Sequence, residues 1–87
     1  MDKLDIIRKD IFSNVYKLRS FWVGDTYTDV ISLQVLNNIL KLHLSTDLVK
    51  CIMNKAINYV EWTDNSEEVI CALVLIPLIK RELRVVV

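Results

Sequence analysis

The chain has 87 residues, enough for one core and one domain, and folding at this length buries roughly 60–65% of the accessible surface. Hydrophobic residues make up 53%, mean hydropathy is +0.33, and glycine and proline occur once each, a composition that excludes disorder and a turn-rich β-domain. Eleven basic residues balance eleven acidic ones, so no net field draws the chain to phosphate backbones or anionic membrane, and nucleic acid is not an expected partner.

From Asp2 to Trp22 the residues Leu4, Ile7, Ile11, Val15, Leu18 and Trp22 recur at three- and four-residue steps, opposite Asp5, Lys9, Ser13 and Ser20. This is the pattern of an amphipathic helix, and Gly24 is placed to end it in a left-handed conformation. Thr26 and Asp29 have capping-box spacing, which starts a second helix between Thr26 and Thr28 and runs it to Leu44. Its polar stripe is narrow, confined to Gln34, Asn37, Asn38 and Lys41, so it needs cover on more than one side. Ser45-Thr46-Asp47 supplies the N-cap of a third helix, with a solvent stripe through Asp47, Lys50, Asn54, Asn58 and Glu61 and an apolar one through Val49, Ile52, Met53, Ala56, Tyr59 and Val60.

Val69–Ile79 is eleven residues without a polar side chain. Asn65 and Glu68 again have cap-then-acid spacing, which opens a fourth helix containing this run. Pro77 inside it removes a backbone hydrogen bond at a cost on the order of 3 kcal/mol, predicting a kink or break near Leu73–Pro77. A buried strand over 69–76 is the competing reading. Nothing else in the chain except the last three valines reads as a pairing strand, and a lone strand leaves its backbone groups unsatisfied. The expected fold is therefore all-α, a compact four-helix bundle in a single helical domain over 1–87, with helices at about 2–22, 28–44, 46–62 and 66–84. Burying the eight large apolar residues of the run contributes on the order of 12–24 kcal/mol gross. It is too short to span a membrane, which takes about twenty. With the second helix also apolar on most sides, three neighbours hardly cover both, which predicts self-association as a homodimer or cover by another protein.

Chemistry-bearing residues are sparse. His43 is the only histidine, matches no metal-ligand spacing, and is explained by the end of the second helix. Cys51 and Cys71, without a CxxC, read as reduced thiols in the cytoplasm; a bridge between them is the alternative. On apolar segments they are inert rather than nucleophilic. No catalytic residue, cofactor site or metal site is assigned, and the chain is not expected to be an enzyme. Trp22 and Trp62 read as lids on the ends of the core. Glu61, Asp64, Glu67 and Glu68 form the one acidic cluster, accounted for by the dipole at the start of the fourth helix. With Tyr59 and Trp62 beside it, the cluster is also the candidate partner-binding patch, because interface energy concentrates on such aromatics.

These readings converge on a small protein-interaction module that binds and modulates another protein. In size and style it compares with immunity proteins, antitoxins and phage- or virus-encoded regulators and inhibitors. The alternatives are a membrane-associated, non-spanning regulatory factor that uses helix 69–79, and a helix-turn-helix DNA-binding regulator. The last is weak, because Lys50 and Lys55 are the only cations on the presumptive recognition helix.

Overall fold

The computed structural model of the chain describes residues 2–15, 22–23, 26–63 and 66–86. The first element, α1 (Lys3–Ser13), is capped by Asp2, whose carboxylate accepts from the Asp5 amide at 2.9 Å. It stops nine residues short of the predicted Trp22. The Asp10 carbonyl accepts from the Ser13 hydroxyl and the Asn14 side-chain amide, both at 2.8 Å, and local side-chain competition of this kind ends helices. Trp22 lies in a short strand instead: β1 (Trp22–Val23) pairs antiparallel with β2 (Thr26–Tyr27). The helix end expected at Gly24 lies outside the described residues.

The second predicted helix divides. Val30–Ser32 is a strand, β3, and α2 (Leu33–His43) follows directly, capped by Ser32, whose hydroxyl accepts from the Val35 amide at 3.2 Å. The Thr26/Asp29 box is therefore not the cap. After Leu44, Ser45 caps α3 (Thr46–Ala56) as its sequence indicates. A 3₁₀ turn at Ile57–Tyr59 then leads into β4 (Glu61–Trp62), where helix was expected.

Two elements share the long apolar run. Glu68–Cys71 is the strand β5, and α4 begins only at Ala72 and ends at Val86. Pro77 is tolerated within α4 without an interruption of the helix. It comes early, and the carbonyl it leaves without a donor is that of Leu73, whose side chain is 68% exposed, so water can satisfy it.

The all-α bundle is thus corrected: beside the four helices stands a three-stranded antiparallel sheet in the order β3-β5-β4. Its register pairs Val30 with Cys71, Ile31 with Ile70 and Ser32 with Val69, and, on the other side of β5, Glu61 with Val69 and Trp62 with Glu68. Side chains alternate across a strand, which puts Ile31 and Ile70 on one face, where they join the core. Val30 and Val69 lie on the other face and are equally buried. The core itself is built by Ile7 and Ile11 of α1, Leu36, Ile39 and Leu40 of α2, Val49, Ile52 and Ala56 of α3, and Ala72, Leu75, Leu78 and Ile79 of α4. The inner side of the apolar run is consumed there. Among the described residues, no helix is long and apolar enough to cross a membrane.

Residues 63–67 join β4 to β5. Thr63 and Glu67 close the link, with the Thr63 amide on the Glu67 carbonyl at 3.1 Å and the Ser66 amide on the Thr63 carbonyl at 2.9 Å. Ser66 has φ 60°, the left-handed conformation that costs a non-glycine residue roughly 1–2 kcal/mol. Ser66→Gly removes that cost while adding unfolded-state entropy, so a net gain of roughly 0.5–1 kcal/mol is expected in urea denaturation at unchanged m-value.

Candidate functional site

The predicted partner-binding residues gather around the β4–β5 hairpin. At the end of α3 the Ile57 amide bonds back to the Lys55 and Met53 carbonyls, and the Val60 amide reaches Ile57. Val60 is then extended, which turns the chain into the edge strand β4. Tyr59 is 52% exposed on the 3₁₀ turn and Trp62 is 66% exposed on β4, with exposed Ile57 beside them in sequence. Trp62 is therefore not a core lid. The side chain of Trp22 lies outside what is described.

Register sorts the acids. Glu68, paired with Trp62, shares its face, whereas Glu61, paired with Val69, is on the opposite one. Glu67 is half-buried, its amide donating to the Thr63 hydroxyl at 3.2 Å. Asp64 lies outside the described residues. The dipole account of these acids fails, because α4 starts at Ala72 and has no acid in its first turn. Among the described residues Glu61, Glu67 and Glu68 form no ion pair. What the hairpin offers is an exposed aromatic pair, two acids placed one on each face, and the open edge of β4.

A second constellation was not anticipated. Glu82 is 3% exposed, on the buried stripe of α4 that runs through Ala72, Leu75 and Ile79. From α3, Lys55 Nζ donates to its Oε1 and Cys51 Sγ to its Oε2 at 3.1 Å. The Lys55 hydrogen bond, then the Cys51 one, holds the Glu82 carboxyl below the usual carboxylate range, against the upward push of burial. The same hydrogen bond raises Lys55. Cys51 is raised by its bond to Glu82, then by burial and by the carboxylate's charge. A thiol held protonated beside a carboxylate held ionised supplies neither nucleophile nor general acid. The cluster fastens α3 to α4. A carboxylate in phase with an apolar stripe was the sequence signal that could have found it.

The remaining candidates have structural roles. His43 Nε2 lies 2.5 Å from Asp10 Oδ2, tying the end of α2 to α1. The two cysteines are free, Cys71 sitting 3.0 Å from the Thr28 hydroxyl. Among the described residues, no group of three or more His, Cys, Asp or Glu side chains is arranged to hold a metal ion. Compared with known proteins, the chain matches no family model, no curated protein and no solved structure.

Removing Lys55 leaves a buried carboxylate uncompensated, whereas removing Glu82 leaves a half-exposed ammonium that water can solvate. Lys55→Met is therefore expected to lower the melting midpoint more than Glu82→Met, and the double variant to recover most of the loss. The depressed Glu82 contributes stability present above the ordinary carboxylate pKa of about 4.3 and lost as pH falls through its folded value. Glu82→Gln should flatten that acid limb when melting midpoints are compared from pH 7 downward.

Proposed function

We propose that this chain is a non-enzymatic interaction module that binds and modulates another protein, docking through the hairpin end with Tyr59 and Trp62 as anchors. The observation that carries this reading is the 66% exposure of Trp62 on an edge strand, a position where packing gives tryptophan nothing to do. Buried aromatic anchors dominate interface energies. The edge of β4, unpaired among the described residues, offers backbone groups to a partner strand, and Glu61, Glu67 and Glu68, without ion pairs among those residues, favour a basic partner surface. Edge-to-edge pairing of β4 with a second copy is the form that self-association takes in this reading. Free thiols at Cys51 and Cys71 suit a reducing, cytoplasmic location.

The test is affinity capture of the tagged chain from the cells that make it, read by mass spectrometry, beside the Trp62→Ala variant. One dominant protein is expected with the parent chain and roughly tenfold less of it with the variant. Folding stability should shift by no more than about 0.5 kcal/mol, as for exposed sites in general. Equal capture by both chains, or none by either, contradicts the proposal.

A further inference from the structure

At the other end of α4 the surface has the opposite character. A groove of about 730 Å³ opens between the start of α1, the α2–α3 corner and the last turns of α4, floored by leucines including Leu4, Leu48 and Leu83 and rimmed by Lys3, Lys80 and Arg84. The leucines are half-buried and the three cations exposed. None of the cations is in an ion pair among the described residues, where the pairs are His43 with Asp10 and Lys55 with Glu82. The one acid on the lining, Asp2, has its carboxylate engaged in capping α1.

The cations are not explained by the helices that carry them. Arg84 lies in the last turn of α4, where the dipole welcomes it, but Lys3 occupies the first turn of α1, the end that disfavours a cation. Lys80 sits within α4, one turn from Arg84 along the same face, and like charges at that spacing repel. In a chain of net charge zero, three unpaired cations around an apolar floor, far along α4 from the unpaired acids of the hairpin, form a site complementary to a negatively charged amphiphile.

We propose that this groove is a docking site for an acidic amphipathic helix of a partner protein, its apolar ridge on the leucines and its Asp and Glu side chains on Lys3, Lys80 and Arg84. A helix fits better than an acyl chain because the groove is open. A lipid tail laid there keeps one side in water, whereas a helix brings its own polar outer face. This site is separate from the hairpin patch and stands without it.

The test is selection of random 16-residue displayed peptides on the full-length Trp62→Ala protein, so that peptides seeking the aromatic edge drop out. Enriched sequences should carry Leu, Ile or Phe at i, i+3/i+4 and i+7 with Asp and Glu flanking them. Synthetic versions should bind more weakly as salt is raised and roughly tenfold more weakly to Lys80→Glu/Arg84→Glu in the same background. That double variant changes exposed residues only, and its melting curve verifies that it folds. No enrichment, enrichment of neutral or basic sequences, or undiminished binding to the double variant overturns the proposal. So does displacement of the peptide by palmitate at micromolar concentration, or a dimer of the protein alone in sedimentation that Lys80→Glu/Arg84→Glu dissociates.

Discussion

Everything in this fold hangs on the antiparallel pairing of Glu68–Cys71 with Val30–Ser32. The two strands are far apart in sequence, so the pairing costs loop-closure entropy before it returns any contact. It is worth that cost because Val30, Ile31, Val69 and Ile70 are β-branched and become fully buried on both faces of the sheet. The last bond of the ladder, Ala72 N–H to the Asp29 carbonyl at 3.1 Å, is also the first of α4. It supplies a partner to an amide that a helix start otherwise leaves open. Strand and helix join without an intervening loop, and the sheet thereby sets where α4 begins and which of its faces meets the core.

The helical part of this arrangement was legible. Ser45 announces α3, the three- and four-residue spacing finds α1, α2 and most of the core, and Pro77 falls in a helix whose exposed side absorbs its missing bond. The strands were not legible, for a definite reason. The run 69–76 reads as a strand only if it has a partner, yet the partners of its first residues, Val30–Ser32 and Glu61–Trp62, read as helix themselves, the one on apolar content and capping-box spacing, the other on the solvent and apolar stripes that continue from α3. A short apolar run does not distinguish the two periods, and two such runs misread together conceal their pairing. Ser32, the true cap of α2, was overlooked because Thr26 and Asp29 offered the spacing first.

At the site, sequence located Tyr59, Trp62 and the acids but misjudged their setting. Trp62 is not a lid, and the acids face no helix dipole. Glu82 escaped notice because a lone carboxylate reads as surface unless its phase with Leu75 and Ile79 is followed. The apolar surplus between 30–44 and 69–79 is also smaller than four helices imply, since the sheet absorbs Val30, Ile31, Val69 and Ile70. Among the described residues, what stays exposed is scattered as Ile6, Phe12, Leu42 and Leu73 or concentrated at the hairpin. The balance of charge conceals segregation: among the described residues, acids without ion pairs at the hairpin, cations without them near the far end of α4, and Glu82 with Lys55 holding the helices between them. In the proposed reading, these two surfaces of opposite sign are the docking sites of one small scaffold.

The β3–β5 pairing is open to direct observation by solution NMR of the uniformly labelled protein. The Ala72–Asp29 bond makes Val30 and Cys71 a pair of the closely spaced kind, so a strong Hα–Hα cross-peak between these two residues is predicted, with slowly exchanging amides at Ile31 and Ile70. Helical Hα(i)–HN(i+3) contacts running continuously from Glu68 through Leu75, with no cross-peak to Val30, would contradict the account at its foundation.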